Sequence, residues 1–466
     1  MKETNYTPFI LLFLVTFISR IPFLSAGYGV EEDSWGIALA AFHTHISGIY
    51  EPSRFPGHPV QELIYSALWG TGPFVFNILS AFFSAIGVLF FALILKHLQF
   101  KHFFIASLAF AFIPVYYISS TYTIDFAWTE AFILISFYYL LKNKLIHTGI
   151  FLGLAIGCRI TSGAMLLPFM LIIWQQQNLK QNFIQFLKIS IPVTLIVLLA
   201  FLPLIQQFGY AFLIYYDQFP YPPITKVFYK MTLGVFGFIG TIAIIIAIVT
   251  VLINRKKLEP GELYGFTLNK KIIIACFTAI ALYVISYFRL PQKSGYMIVI
   301  LPFMILLLGH YLNSRNFKLL CIAFILSSFC CSINLTDKLR GAEHSKYARS
   351  FTVSGQEIFF DPFSGPIFSD HSKRKQKMNY TKEVISKADT ITSKTVIIAG
   401  WWYNEIMVEM INRDKNAMVV FEPYIDEKII NKYHSNGYQI FYLPEQNVYN
   451  DQMYQMQITD YFAKPF

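Results

Sequence analysis

Long apolar runs repeat along the first two thirds of the chain, and they constrain its fold more than any other feature. A helix crosses a bilayer core with about 20 predominantly apolar residues, so each run predicts a membrane-spanning helix. Composition supports this interpretation, because only 14% of the residues are charged, whereas soluble domains have about a quarter. The runs are roughly 8–25, 75–95, 103–120, 124–141, 189–205, 233–253, 272–288, 296–312 and 317–334.

A further apolar stretch, residues 146–174, is interrupted by the sequence Gly-Cys-Arg-Ile-Thr at 157–161. The interruption favours two short helices that meet at Arg159 over one long span. The first run ends at Arg20 without a small-residue cleavage site, so we expect it to be retained as the first helix. The chain is therefore predicted to be a mainly α polytopic membrane protein with about eleven transmembrane helices.

Basic residues are distributed unequally between the two sides of this predicted topology. With the N-terminus inside, the inner loops hold thirteen Lys and Arg, and the outer side holds seven. The positive-inside rule then predicts a multi-pass protein of the cell (inner) membrane with a cytoplasmic N-terminus. The formal charge of +10 comes from residues 1–334, where basic residues are spread between apolar runs. Such a distribution is not a polyanion-binding face, so no nucleic acid partner is expected.

Residues 336–466 have a different composition and are predicted to form a small extracytoplasmic α/β domain after a membrane domain of residues 1–335. Segments 395–400, 417–422 and 438–443 are typical of short strands. Helical periodicity is found between them, at 404–413 and 426–435. The basic run from Lys373 to Lys377 is interpreted as a solvated loop, with contact to anionic lipid as the alternative.

The first predicted outer loop, residues 26–73, is long and contains the consecutive acids Glu31, Glu32 and Asp33. Loops of this length are usually functional. Capping of the next helix is an alternative, although a cap needs one acid and not three. The turn-forming sequence PSRFPGHP in the same loop contains Arg54, whose forked guanidinium suits phosphate or carboxylate. His58 follows it and is interpreted as structural more readily than as a metal ligand.

A second acid, Asp125, is placed at the outer end of the span that starts near residue 124, and Glu130 follows inside that span. An ionisable group at membrane depth is costly and by default indicates function. Capping by Asp125 and a structural hydrogen bond from Glu130 remain alternatives.

Basic residues that could hold a phosphate occur where a later span emerges outward. In the segment 287–303, Arg289, Lys293 and Tyr296 surround a proline turn at the level of the lipid headgroups. Snorkelling anchors are the alternative interpretation. Arg159, in the break between two half-helices, is a further candidate cation.

The order and sidedness of these motifs resemble the GT-C superfamily of polyprenyl-phosphate-sugar glycosyltransferases, which includes protein O-mannosyltransferases and aminoarabinose transferases. The resemblance covers residues 1–335 and rests on the acidic first outer loop together with four short motifs. These motifs are SRFPGHP (53–59), Thr-Ile-Asp (123–125), the helix pair at 153–168 and the segment 290–303. Many relatives have Asp-Glu where this chain has Glu-Glu-Asp, so Glu32 and Asp33 both remain candidates, and we favour Asp33.

The resemblance implies transfer of a sugar from a polyprenyl-phosphate donor to a glycan, lipid or protein acceptor at the outer face, with inversion. In this hypothesis Asp33 is the general base and Asp125 positions the acceptor or a divalent ion. The donor phosphate is held by Arg289 with Lys293 or Arg54. Binding of Mg²⁺ or Mn²⁺ by Asp33 and Asp125 is left open. We expect the two carboxylates to meet in one pocket beside the basic residues.

Three other functions fit parts of the sequence. A flippase or transporter of lipid-linked glycans would place ionisable residues near the midplane between repeated halves, and no repeat is found here. An O-antigen polymerase or ligase usually has its long outer loop late in the chain. A scaffold would act through residues 336–466. The aromatic-rich segment 209–230 either covers the prenyl chain or anchors the protein at the interface.

Overall fold

The computed structural model describes residues 6–176, 178–213, 221–254, 268–335, 346–353, 356–413, 416–423, 427–443 and 464–466. These residues are mainly helical, and their strands all follow residue 331. Part of the aromatic segment 209–230 lies outside the described residues. The helices before the first strand are α1 (Thr7–Arg20), α2 (Glu32–Ser47), α3 (Pro59–Ala67), α4 (Pro73–His97), α5 (Phe103–Phe112), α6 (Pro114–Ser119), α7 (Phe126–Leu141), α8 (Leu145–Cys158), α9 (Leu166–Ile173), α10 (Leu179–Phe208), α11 (Ile224–Met231), α12 (Leu233–Asn254), α13 (Lys270–Arg289), α14 (Ile300–Tyr311) and α15 (Ser314–Phe329).

Four helices of the described part, α4, α10, α12 and α13, are long and apolar enough to cross a membrane. Shorter apolar helices coincide with most of the remaining predicted runs. Helix α10 begins at Leu179, ten residues before the predicted span, because the side chain of Asn178 caps its N-terminus through the amide of Gln181. A polytopic helical fold is thus confirmed, whereas the count of eleven spans and their orientation stay predictions.

Proline and arginine positions decide where two apolar stretches break. The predicted span at 103–120 is wrong as a single helix, because Ile113 is extended before Pro114 and separates α5 from α6. A residue before proline is disfavoured in helical conformation, and proline itself suits the first helical position. The predicted break at Arg159 is confirmed: Arg159 is extended between α8 and a 3-10 turn at Ile160–Met165.

Close packing of α8 fixes where Arg159 stands. Three glycines spaced four residues apart lie on α8, at positions 149, 153 and 157. A Cβ on Gly149 would lie 2.3 Å from the carbonyl oxygen of Ile189 in α10, and one on Gly157 would lie 2.4 Å from a methyl of Val60 in α3. Small residues at this spacing let helix backbones approach closely. The C-terminal end of α8 is therefore held against both α10 and α3.

The described residues of the C-terminal part form two sheets and confirm the predicted strands and helices. Strands β1 (Ser332–Leu335), β2 (Arg349–Val353) and β3 (Gln356–Asp361) form an antiparallel sheet in the order β1-β3-β2. The elements that follow are α16 (Pro366–Asp389), β4 (Thr395–Ile398), α17 (Tyr403–Met410), β5 (Val419–Glu422), α18 (Glu427–Ser435), β6 (Gln439–Tyr442) and β7 (Lys464–Pro465). The second sheet is parallel, in the order β5-β4-β6-β7, and central β4 is fully buried.

The basic run at 373–377 is not a solvated loop, and that prediction was wrong. These residues belong to α16, where the side chains of Arg374 and Lys377 are 1% and 9% exposed. Helix α16 packs against α6 and α15, so the C-terminal part lies directly on the helical part. The division into two domains at residue 335 stays a prediction.

Replacing Gly149 by alanine tests the packing of α8. The added methyl meets backbone in α10, which cannot shift freely, so we expect a loss of about 1–3 kcal/mol of stability. Thermal unfolding of the purified protein in detergent measures the change. Gly163→Ala is the matched control, because the atoms nearest to its new methyl are 3.8 Å away. Equal unfolding temperatures for the two variants would contradict the packing argument.

Candidate active site

The loop that carries the acidic triplet ends in the first turn of α2. Glu31 is the extended N-cap residue, yet its side chain accepts no capping hydrogen bond. The indole Nε1 of Trp35 donates to the carbonyl oxygen of Gly29 at 2.9 Å and holds the loop back over the helix. The acids are therefore partly buried beside the helix start, and capping by Glu31 is not observed.

A buried carboxylate that the sequence analysis missed shapes the loop of Arg54. Glu62 accepts hydrogen bonds from the amides of Ser53 (3.0 Å) and His58 (2.9 Å), and from the hydroxyls of Tyr50 and Ser53. Glu62 lies in the first turn of α3, so its carboxylate reaches back to the amide of His58, the N-cap residue, which has no side-chain cap of its own. A glutamate just inside a helix that starts with proline was the available sequence signal.

Asp125 precedes α7 and is fully buried. Its side chain makes no capping hydrogen bond, so that alternative is also not observed. Its two oxygens instead meet guanidinium nitrogens: Oδ1 lies 3.1 Å from Arg54, and Oδ2 lies 2.7 Å from Arg159. Asp125 is thus an ion-pair partner for two arginines from distant parts of the chain.

Arg54 joins the two predicted catalytic acids. Its Nη1 lies 3.1 Å from Oδ2 of Asp33, and its Nη2 lies 3.1 Å from Oδ1 of Asp125. Lys293 pairs with Asp33 and also with Glu31, at 2.6 Å in the second case. Together these residues form what we call the charge cluster, with the members Glu31, Asp33, Arg54, Asp125, Arg159 and Lys293. With three acidic and three basic side chains, the cluster has no net charge when all six are ionised.

Tyr296 contacts the charge cluster through Arg159. The guanidinium carbon of Arg159 lies 4.8 Å from the ring centroid of Phe126 and 4.6 Å from that of Tyr296. Two aromatic faces stabilise the cation and fix its plane. Tyr296 belongs to a 3-10 turn, Ser294–Met297, that follows Lys293 directly.

Exposure distinguishes the two acids. The side chain of Asp33 is 21% exposed, whereas that of Asp125 is fully buried. Lys293 and Arg54 are also partly open, at 18% and 23%. A ligand can therefore reach Asp33 and its two basic partners, while Asp125 lies behind them.

The ion pairs control the protonation of Asp33. Burial raises its pKa, but the charges of Arg54 and Lys293 outweigh burial and lower the pKa to about 2. The reciprocal pairings raise the pKa of Arg54 and of Lys293, although burial alone would lower both. All three side chains are consequently charged across the physiological range.

Glu32 has a different environment from its neighbour. Burial and the nearby Asp33 raise the pKa of Glu32 to about 7, although Lys377, Lys293 and Arg54 oppose this rise. Its Oε1 lies 3.4 Å from the side-chain amide of Asn404 in α17. Glu32 therefore faces the C-terminal part and changes charge near neutral pH.

The remaining candidates are His58, Arg289 and Glu130, and of these His58 adjoins the charge cluster. His58 is buried, and its Nδ1 lies 2.6 Å from the carbonyl oxygen of Cys158 and 3.8 Å from Oδ2 of Asp125; burial lowers its pKa. Arg289 ends α13 and is exposed. Glu130 is buried in α7, and within the described residues its two oxygens meet no hydrogen-bond partner, so the expected structural bond is not observed.

The predicted divalent ion does not match the donors present. The described residues contain no group of three or more His, Cys, Asp or Glu side chains that could hold a metal. Asp33 and Asp125 already face Arg54, Lys293 and Arg159, whose positive charges oppose a second cation. We therefore derive no step through a metal.

No protein-family model matches the sequence. No curated protein matches it either.

Solved structures, in contrast, match the fold along nearly the whole chain. One is ArnT from Cupriavidus metallidurans bound to undecaprenyl phosphate, with a TM-score of 0.55 and 12% sequence identity. Another is ArnT from the same organism in the apo state, with a TM-score of 0.52 and 12% identity. Each match covers 98% of this chain and 95% of the ArnT chain. This chain therefore has the fold of the ArnT structures along nearly its whole length, which agrees with the resemblance of its motifs.

Proposed function

We propose that this protein transfers a sugar from a polyprenyl-phosphate donor to an acceptor hydroxyl or phosphate at the outer face of the membrane. The observation that carries the proposal is the contact of Arg54 with both Asp33 and Asp125, beside Lys293. The cluster combines a reachable carboxylate with reachable cations at one end of the helical fold. The fold supports the same function, since a solved ArnT structure binds undecaprenyl phosphate.

Lys293 and Arg54 are the proposed phosphate-binding residues. Both are partly exposed, and both pair with the carboxylate of Asp33. A donor phosphate, like a carboxylate, accepts charge-assisted hydrogen bonds from Arg and Lys, so it competes with Asp33 for these cations. Arg159 is also partly exposed, but it stays paired with Asp125 and packed against the rings of Phe126 and Tyr296.

Donor binding then prepares Asp33 as the base. Before binding, Arg54 and Lys293 hold its pKa at about 2, which makes it a weak proton acceptor. Once the donor phosphate also pairs with Arg54 and Lys293, these cations stabilise the carboxylate of Asp33 less. The effect of burial then dominates, and the pKa of Asp33 rises. A base becomes more effective as its pKa approaches the working pH. Asp33 is therefore most basic when the donor is present.

The transfer itself is a single displacement. Asp33 takes the acceptor proton as the acceptor oxygen forms its bond to the anomeric carbon. The bond from that carbon to the phosphate oxygen breaks, and its electron pair leaves with the polyprenyl phosphate. Lys293 and Arg54 stabilise the charge that grows on this leaving group. Attack from the opposite face inverts the anomeric centre.

Asp125 acts through the arginines in this proposal. Because it is fully buried, it does not reach the acceptor directly, which differs from the positioning of acceptor or metal expected from the sequence. It holds Arg54 and Arg159 at their places in the pocket. The acceptor can be a glycan, a lipid or a protein, since the cluster contacts only the hydroxyl or phosphate that reacts.

The substitution Asp33→Asn tests the role of Asp33 as the general base. Asp33→Asn removes the proton acceptor, so kcat with a labelled polyprenyl-phosphate sugar should fall roughly a hundredfold or more. Glu51→Gln is the matched control, because Glu51 lies in the connection that follows α2, is exposed and pairs with His43. Near wild-type transfer by Asp33→Asn would remove the assignment. Accumulation of intact donor inside vesicles, without cleavage of the glycosidic bond, would instead favour a transporter.

The substitution Lys293→Met tests the proposed phosphate-binding site. Lys293→Met removes one of the proposed phosphate-binding cations, so the KM for the donor should rise about tenfold, the loss of one charge-assisted hydrogen bond. Steady-state kinetics at fixed acceptor concentration measure it. Lys382→Met provides the control, since Lys382 is exposed on α16. An unchanged KM in Lys293→Met would place the phosphate elsewhere.

The raised pKa of Glu32 predicts that donor binding depends on pH. Below its pKa of about 7 Glu32 is neutral and the charge cluster is balanced; above it one negative charge is added. The donor phosphate is anionic throughout, so its KM should rise roughly threefold to tenfold as the pH increases through 7. Glu32→Gln should keep the low KM at every pH. The same inflection in Glu32→Gln and in wild type would exclude Glu32 as its source.

A further inference from the structure

Two charged side chains of α16 are buried although charges are costly to remove from water. Arg374 and Lys377 are three residues apart, so they lie on one face of the helix. Neighbouring Lys375 is exposed. The burial of only part of this basic run indicates that the buried members make specific contacts.

Lys377 contacts the loop that leads to Asp33. Its Nζ donates to the carbonyl oxygen of Val30 at 3.3 Å and lies 3.2 Å from Glu405 in α17. The ring of Trp402 lies beneath the same ammonium, with its centroid at 5.0 Å. Val30 directly precedes the acidic triplet, so Lys377 fixes the backbone from which Asp33 projects.

Arg374 contacts the loop that leads to Asp125. Its Nη1 donates to the carbonyl oxygen of Thr121 and its Nη2 to the hydroxyl of the same residue, both at 3.1 Å. Its Nε lies 3.1 Å from Asp370, one turn earlier in α16. Thr121 stands four residues before Asp125. One face of one helix therefore contacts both acid-bearing loops.

Close packing against α16 restricts the movement of the same two loops. Gly27 has a φ of +66°, and a Cβ there would lie 2.7 Å from Trp35 and 3.0 Å from Met378 of α16. On the side of α4, the side chain of Asn77 donates to the carbonyl oxygen of Gly27 and accepts from the hydroxyl of Thr123. The two loops are thus held between α4 and α16.

The ion pairs of the charge cluster require the two acid-bearing loops to stay at a fixed distance from each other. Arg54 reaches Asp33 and Asp125 with two contacts of 3.1 Å. A displacement of either loop by about 1 Å breaks one of these contacts, and errors of this size can cost about a hundredfold in rate. A second support outside the pocket is therefore useful for turnover.

We propose that α16 sets the separation of the two catalytic loops, and that Lys377 and Arg374 are positioning residues for the transfer reaction. This inference rests on the proposed function and extends it to the C-terminal part of the chain. The C-terminal part then determines the turnover rate through geometry, without contact between these two side chains and the substrate.

Kinetics of Lys377→Met test the inference in the full-length protein. We expect kcat to fall roughly tenfold to a hundredfold, with a smaller change in the donor KM. Lys377→Arg should recover most of the rate, because arginine also donates to Val30 and Glu405. Lys375→Met is the control and should keep wild-type kcat. Wild-type kcat in Lys377→Met, or a loss in Lys377→Arg as large as in Lys377→Met, would overturn the inference.

Hydrogen exchange provides a measurement that does not depend on transfer. The peptide covering 25–31 should exchange faster in Lys377→Met than in wild type, and the peptide covering 119–125 should exchange faster in Arg374→Met, because these side chains contact Val30 and Thr121 respectively. Lys375→Met should leave both peptides unchanged. Unaltered exchange in both peptides would overturn the inference whatever the activity. Faster exchange in Lys377→Met together with an inactive wild type would support the role of α16 and contradict the proposed transferase function, so the two failures are distinguishable.

Discussion

One guanidinium between two carboxylates organises this protein. Arg54 can contact Asp33 and Asp125 together only if the first long loop and the start of α7 meet, and the end of α8 joins them through the pairing of Arg159 with Asp125. Each of these segments is placed by packing far from the charges. The glycine face of α8 is one example, because it sets the position of Arg159 through contact with α10. Charge and packing therefore depend on each other.

Features encoded locally could be predicted from the sequence. Apolar runs, the break at Arg159 and the strands after residue 394 each follow from periodicity over a few residues. The break before Pro114 was missed because the apolar character continues across it, although proline was visible in the sequence. The meeting of the two acids was expected from their common side of the membrane and from the GT-C resemblance.

Contacts between distant segments could not be predicted in the same way. The role of Glu62 depends on four donors that converge only after the loop has folded. The burial of Arg374 and Lys377 depends on loops some 250 to 350 residues earlier in the chain. A basic run has the same local pattern in a solvated loop and in a buried helix face, so the pattern alone does not distinguish them.

The hydrogen bonds of Glu62 have a consequence for affinity. They order the segment that carries Arg54 during folding, so the associated loss of conformational entropy occurs before any donor arrives. A flexible segment would lose that entropy on association and weaken binding. In the proposed reaction, a buried carboxylate that does not contact the donor phosphate thus contributes to donor binding by preorganising Arg54.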